Sequence, residues 1–395
     1  MFEIQKKRKC TGCGACENAC PTRAITMCAD LEGFSYPSID SSKCVECGKC
    51  KKVCPTRKEN QTIPTSVSKK EAYLCYIKDE QARLRSSSGG VFYALAMECI
   101  NSGGVVFGVE FDDKWNAVHV GVTDEEGVAR FQVSKYVQSD IGDTYKEAKA
   151  YLEEGRCVLF SGTPCQIAGL KMFLGKSYSN LMTCDFICHG VPSPGVWQDY
   201  VKHREEKAGA KAVQVHFRDK ANGWLESFFF SFLFLNKKTY REYKTTDIYY
   251  KGFLNNLFVR PCCHRCSFRG FHRVADITIA DAWGIQAYAP EFYNETGVSF
   301  AIIHTDKGIS AYHAIDGALI SRNIDVEKPI QHNVNFYNSE VSSLHRRRFF
   351  LDWRAKGIES AVENNLKFYD KVFRKGVRIL KGMPIYIKRF WGKNL

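Results

Sequence analysis

No stretch of this chain is long and apolar enough to be read as a membrane span. The most apolar run, FFFSFLFL over 228–235, has eight residues, well short of the roughly 20 a spanning helix needs. It ends in Asn236-Lys237-Lys238 and therefore reads as a strand followed by a turn. The opening MFEIQKKRKC carries charge where a secretory leader has its apolar core, so a cytoplasmic location is expected. No G-x-G-x-x-G follows any predicted strand, which removes a Rossmann dinucleotide site. Acid is in short supply: 43 Asp and Glu stand against 56 Lys and Arg, for a net charge of +13. The excess is partly local, because residues 364–395 hold nine Lys or Arg and one acid, Asp370.

Cysteine is abundant. Eighteen of 395 residues are Cys, and a reducing compartment excludes a disulfide scaffold for them. Metal or redox chemistry is the better reading. Eight lie in two copies of one pattern, CTGCGACENACP (10–21) and CVECGKCKKVCP (44–55), 34 residues apart. C-x2-C-x2-C-x3-C-P is the bacterial two-cluster ferredoxin run, in which the fourth cysteine of each copy ligates the other cluster. The spacing therefore assigns Cys10, Cys13, Cys16 and Cys54 to one 4Fe-4S cluster and Cys44, Cys47, Cys50 and Cys20 to a second. Zinc needs four ligands per site and no interleaving, so it fits poorly. Gly12, Gly14 and Gly48 would let backbone approach the sulfurs. Between the copies, AITMCADLEGFSYPSID reads as a hairpin turning near Glu32-Gly33, with Cys28 as a packed thiol outside both clusters. The polar stretch 58–70 reads as a linker.

From 72 to about 330 short apolar strands alternate with helical stretches. Strands are expected over 105–111, 157–162, 181–187, 275–281 and 300–305, and helices over 91–100, 142–153, 166–174 and 194–205. The aromatic stretch 213–243 reads as antiparallel strands. The expected fold class is α+β (mixed α/β): a two-cluster ferredoxin domain over 1–60, a larger mixed-sheet domain over 71–335, and a basic helical tail over 336–395.

Three segments of the larger domain carry chemistry. RSSSGGVFYALA (85–96) sets serines and a glycine pair before a helical pattern, which suits the phosphate of a flavin with Arg85 as counter-charge, or equally a plain helix cap. GTPCQIAGL and DFICHGVPSP place Cys165 and Cys188 just beyond two buried strands, at the edge where open α/β sheets gather ligands. RPCCHRCSFRG holds Cys263-x2-Cys266, a metal-ligand spacing with only two ligands. Cys165 and Cys188 would complete a third site if the fold brings the edges together; otherwise these are four unrelated buried thiols.

Jointly, RSSSGG, SKYVQS, GTPCQIAGL, DFICHGVPSP, the Cys263–Cys266 pair and ADAWG resemble the coenzyme F420 hydrogenase/dehydrogenase beta-subunit family over roughly 85–284. The likeness is greatest to its bacterial branch with an N-terminal two-cluster ferredoxin module, found beside polysaccharide-assembly genes. The resemblance implies a flavoprotein, with FAD or FMN, and a third 4Fe-4S cluster on Cys165, Cys188, Cys263 and Cys266, with Cys262 departing from the expected small residue. It implies that Ser86, Ser88, Gly89 and Gly90 line the flavin, that Lys135 in SKYVQS stands near its ring or phosphate, and that Asp281 and Trp283 in ADAWG line the site. His189 and Asp281 are the first candidates for proton transfer.

These expectations describe an oxidoreductase. It passes electrons between a one-electron carrier such as ferredoxin and a two-electron substrate, coenzyme F420 or an intermediate of polysaccharide assembly. The alternative is an electron-transfer subunit with no substrate site of its own, docked on a catalytic partner. The basic end, with Phe368, Val372, Leu380, Ile385 and Trp391 among its cations, reads as a terminal helix and as a candidate contact for an anionic membrane or a partner. Nucleic-acid binding is not expected.

Overall fold

The computed structural model describes residues 4–60, 71–221, 223–225, 228–271 and 273–381; the side chains of Lys58 and of 367–381 lie outside that description. The N-terminal part is built on two helical turns, Ala15–Asn18 and Lys49–Lys52, each carrying the third cysteine of its copy. Between them β1 (Ile25–Ala29) and β2 (Ser35–Ile39) pair antiparallel, Ile25 facing Ile39. Asp30 closes the turn, its Oδ1 accepting from the backbone N–H of Glu32 and Phe34, each at 2.9 Å, the self-bonding that makes Asp a turn residue.

The body is a mixed sheet. Eight strands, β3 (Glu71–Ile77), β4 (Val105–Phe111), β5 (Ala117–Val122), β6 (Val158–Ser161), β7 (Leu181–Phe186), β11 (Ile277–Asp281), β12 (Ser299–Ile303) and β13 (Leu319–Asn323), lie in the order β13-β3-β12-β11-β7-β6-β4-β5. The centre, β11-β7-β6-β4, is parallel, and both flanks are antiparallel. Helices Val91–Asn101, Thr144–Glu153, Pro164–Leu174 and Asp306–Ala314 cover its faces. Between β7 and β11 in sequence, β8 (Ala212–Asp219), β9 (Phe229–Phe234) and β10 (Thr239–Tyr243) form a separate antiparallel sheet. It packs through Phe217, Phe230 and Phe232 against Trp197 and Tyr200 of the helix Pro194–Ala208. The mixed α/β class is the one expected.

Where bounds differ from expectation, capping explains it. The helix expected from 166 starts at Pro164, because Thr163 and Gln166 form a reciprocal capping box and proline suits the first helical position. The helix expected from 142 starts at Thr144, whose Oγ1 donates back to the Ile141 carbonyl at 2.7 Å.

The first sixty residues do not stand apart from the body. Cys13 and Ala15 are buried with Tyr145, Ile167 and Leu170. Phe34, fully buried, joins the cluster of Trp197 and Phe258. Glu32 at the hairpin tip takes two hydrogen bonds from Arg346, at 2.7 and 2.6 Å.

Two expectations need amending. Cys28 is exposed, because its position on β1 faces away from the body. The stretch 336–395 is not a tail from its start: Phe336, Phe349, Phe350, Ile358, Ala361 and Val362 are core residues. Its helix, Arg346–Lys381, is kinked at Gly357. Most of the expected linker (61–70) and the side chains of Phe368, Val372, Leu380, Ile385 and Trp391 lie outside the described residues. Among the described residues no helix is long and apolar enough to cross a membrane.

Candidate functional site

All eighteen cysteines are free thiols, and twelve of them fall into three sets. Cys16 has Cys13, Cys10 and Cys54 as its charged neighbours; burial first, and then these sulfurs, push its pKa up. Cys13, pushed up to about 12 by burial, shares the neighbours Cys10 and Cys54. Cys50 is raised by burial and by Cys47, Cys20 and Cys44. The fourth cysteine of each copy therefore sits with the other copy's first three. That is what the motif requires, because Cys20 and Cys54 lie beyond the end of their own helical turn.

The third set comes from three separate segments. Cys165 opens the helix after β6, Cys188 follows β7, and Cys263 and Cys266 belong to the helical turn Pro261–Arg265 and its end. Burial raises Cys165, and so do Cys266, Cys263 and Cys188. Cys188 is pushed up to about 12 by burial and by Cys263 and Cys266. Gly190 (φ 146) permits the approach: a Cβ there would lie 2.8 Å from Val259 Cγ1 and 3.2 Å from Cys263 Cβ. Cys262 is hydrogen-bonded to Cys263 and holds it below the usual thiol value while itself being raised, so Cys263 is the readier thiolate of the two. Phe268 N–H donates to Cys266 Sγ at 3.4 Å, the kind of backbone bond that supports a metal-bound sulfur.

Thiols gathered in fours and partly withdrawn from water are unfavourable as thiolates unless a cationic group shares their charge. Among the described residues no three His, Cys, Asp or Glu side chains close around a single ion. Each set offers four sulfur donors. In donor number and donor type each fits a four-iron cube.

Two side chains stand between the first and third sets. Tyr145, fully buried, has Cys13 and Cys16 of the first set and Cys165 of the third as neighbours, and its hydroxyl donates to the Gln166 carbonyl at 2.8 Å. Arg260, also fully buried, donates from Nε to the Cys10 carbonyl at 2.9 Å and from Nη1 to Gln138 at 2.8 Å. Its Nη2 reaches Ser35 O at 2.9 Å and Cys10 Sγ at 3.8 Å, and its backbone carbonyl accepts from Cys263 N–H at 3.0 Å. Gly12 makes room for it, since a Cβ there would lie 2.9 Å from the guanidinium. Arg260 and Gln138 were not singled out from the sequence; a lone charge in the apolar run LFVRPCC was the signal available.

Beside the third set lies a cavity of about 640 Å³, within the range of cofactor sites, about 300–1,000 Å³. Cys188, His189, Ser86, Ser88, Gly90, Lys135, Asp281 and Trp283 are on its wall. Arg85 and Gly89 are not. Arg85 is exposed and turns to Gln132, at 3.4 Å. Gly89 packs under the sheet, where a Cβ would lie 2.5 Å from the Cys75 carbonyl. The serines are largely committed to the fold: Ser86 Oγ donates to Ala82 O, Ser88 Oγ donates to Val298 O, and Ser87 Oγ accepts from Ser134 N–H. These bonds tie the loop to neighbouring segments, and none of them caps the helix Val91–Asn101, whose N-cap Gly90 has no side-chain cap hydrogen bond. Lys135 also departs from expectation. Its Nζ donates to the carbonyls of Arg130, Phe131, Gln132 and Val133, at the end of the helix Glu125–Phe131. Burial pushes it down to about 7, while those carbonyls favour its charged form.

Asp281 accepts from Arg218 Nη1 at 2.7 Å and from Trp224 Nε1 at 2.9 Å. It is therefore the holder of a buried cation rather than a mobile proton carrier. Arg218 lies 5.6 Å from the ring of Trp283, and Lys244 6.0 Å from it. Neither cation was expected, although a charge inside the aromatic strand VHFRD is unusual enough to have flagged Arg218. His189 is hydrogen-bonded to Asn256 at 3.1 Å and lies 3.5 Å from Glu340; desolvation lowers its pKa, so it is neutral at neutral pH. A flat aromatic side chain flanked by cations on a roomy wall fits the ring and phosphate of a flavin.

Two family models, for the N-terminal and the C-terminal regions of the coenzyme F420 hydrogenase/dehydrogenase beta subunit, match residues 72–144 and 155–329. Two models described as "4Fe-4S dicluster domain" match residues 9–58 and 36–102. No curated protein matches. Among solved structures, the chain is similar to one from the F420-reducing NiFe hydrogenase complex of Methanosarcina barkeri, studied by xenon derivatization: 16% identity, 76% of this chain and 91% of that one covered, TM-score 0.43.

Proposed function

We propose, from the premise that this iron–sulfur electron-transfer protein belongs to the coenzyme F420 hydrogenase/dehydrogenase beta-subunit family, that it is a flavin-dependent oxidoreductase with three 4Fe-4S clusters. It links a one-electron carrier to a two-electron substrate, coenzyme F420 or an intermediate of polysaccharide assembly. The observation that carries the reading is the convergence of Cys165, Cys188, Cys263 and Cys266 from three segments into one set beside a large cavity, with Cys188 on the cavity wall.

FAD or FMN bound in that cavity would supply exchange between single electrons and electron pairs. Arg218, held by Asp281, and Lys244 would offset the charge of the flavin beside Trp283. His189, neutral and half-buried on the same wall, would hold or accept a proton at Nδ1 or Nε2. Tyr145 and Arg260, both fully buried, would keep water from between the first and third thiol sets.

Anaerobic purification with iron, sulfide and flavin quantified per chain tests this. About twelve irons and one flavin are expected; eight irons and no flavin would leave only the two-cluster module.

A second reading, an electron-transfer subunit docked on a catalytic partner, is favoured by the segment beside the third set. Ser339 Oγ accepts from Cys266 N–H at 3.0 Å, and nearby Val341 and Leu344 are 82% and 93% exposed. Turnover of a donor with F420 by the purified chain alone separates the two readings.

A further inference from the structure

The three thiol sets differ in their access to solvent. Cys13 is buried, and Cys165, Cys188, Cys263 and Cys266 are half-buried. Cys47 is exposed, at the tip of the loop that carries Cys44, Cys47 and Cys50. Beside it Val45 is 63% exposed. Around that tip the chain places Lys43, Lys49, Lys51 and Lys52, with Arg23 next to Cys20 of the same set. Lys43, Lys49, Lys52 and Arg23 are exposed and Lys51 half-buried. Along the same loop Glu46 and Asp40 oppose them, and Asp40 lies 3.3 Å from Lys43 in an exposed pair, a kind that contributes little and screens easily.

An apolar tip rimmed by an excess of cations, here four lysines and Arg23 against Glu46 and Asp40, is the anatomy of a transient interface: a small apolar centre, with a charged rim that sets orientation and encounter rate. We propose that this face is the port through which the protein exchanges single electrons with an acidic one-electron carrier protein. Val45 meets the partner at the centre, and Lys43, Lys49, Lys51 and Lys52 meet its carboxylates. One electron leaves the reduced carrier and is taken up by the cluster on Cys20, Cys44, Cys47 and Cys50, or passes the other way, with no bond made or broken. The proposal rests on the electron-transfer reading above and adds the partner's charge and the place it docks. The face opposite this set is closed, because Cys13 of the first set is buried against Tyr145 and Ile167. A carrier docking elsewhere on the N-terminal part would be held off by that packing.

The test uses the full-length, cluster-loaded protein, prepared without oxygen, and an acidic bacterial-type two-cluster ferredoxin. Calorimetry gives the Kd at low and at high salt. Stopped-flow mixing, with each protein in turn reduced and the other oxidised, gives the transfer rate. Photoreduced deazaflavin serves as a reductant that needs no docking. The double variant Lys49→Glu/Lys52→Glu is compared at equal iron content. Expected are a Kd weakened tenfold or more by salt and again by the double variant, a matching loss of transfer rate, and unchanged reduction by deazaflavin. A Kd and rate indifferent to salt and to charge reversal, with deazaflavin still reducing the protein, overturn the port and leave the cluster reading standing. Binding to anionic vesicles or to RNA that the variant abolishes, with no binding to ferredoxin, also overturns it. Iron-free protein overturns both readings together.

Discussion

Arg260 and Cys10, 250 residues apart, are joined at 2.9 Å through Nε and the Cys10 carbonyl, and the same guanidinium approaches Cys10 Sγ at 3.8 Å. Its own carbonyl accepts from Cys263 N–H. One fully buried cation is thereby fixed between a cysteine of the first thiol set and a cysteine of the third. It stacks on Tyr36 at 4.2 Å, so little freedom remains for it to move away.

A cation beside a cluster favours the reduced, more negative state. Arg260→Gln should therefore lower the midpoint potential of the cluster on Cys10, Cys13, Cys16 and Cys54. The expected shift is on the order of 100 mV, from one charge about 5 Å away at an effective dielectric near 20. Arg260→Lys should recover part of it. An EPR-monitored redox titration reads the shift, and a potential unmoved by Arg260→Gln would remove this role.

The interleaving of the two N-terminal copies predicts paired losses. Cys54→Ser should abolish the same EPR signal as Cys10→Ser, and Cys20→Ser the same signal as Cys44→Ser. Cys263→Ser should lower the iron content by about one third and leave both N-terminal signals in place. If Cys54→Ser instead mimics Cys44→Ser, each copy ligates its own cluster and the assignment is wrong.

Asp281 holds Arg218, which is 4% exposed, beneath Trp283. Asp281→Asn leaves a buried guanidinium without its counter-charge and should cost about 3–5 kcal/mol, read as a drop of several degrees in Tm. Adding Arg218→Met to Asp281→Asn should restore most of the stability, because the unpaired charge is then gone. The double variant should still lose affinity for added FAD or FMN, measured by fluorescence quenching.

His119 is buried, its ring stacked on Phe160 with Nε2 3.1 Å from the Ser161 carbonyl, and desolvation pushes its pKa down to about 4. The folded value lies below the unfolded value of about 6.5, so between these limits the unfolded chain binds the extra proton and stability falls as pH falls. Between pH 6.5 and 5 the loss is about 2 kcal/mol from this group. In His119→Gln that part of the acid slope should vanish. Urea titrations of both proteins at pH 7 and pH 5 check it, and equal slopes would assign the acid sensitivity elsewhere.

Local pattern determined a good deal of this protein. Two C-x2-C-x2-C-x3-C-P runs pointed to eight candidate ligands and to their crossing, because the fourth sulfur lies beyond its own short helical turn. The apolar periods marked the central strands and most helices, since burial on both faces of a parallel sheet demands continuous apolar runs. Thr163, Pro164 and Gln166 announced a helix start that the period alone placed two residues late.

Tertiary structure decided the rest. Whether Cys165, Cys188, Cys263 and Cys266 meet depends on strand order, and β6 and β7 are neighbours only because the sheet was assembled that way. Arg85 and Gly89 follow the same motif letters as Ser86 and Gly90, yet one faces solvent and the other the sheet, a choice made by packing against β3 and β12. Arg260, Arg218 and Lys244 carry no local signature of role. A charge acquires meaning from what surrounds it after folding, and contacts between residues far apart in the chain are set by long-range packing that no short window of sequence contains.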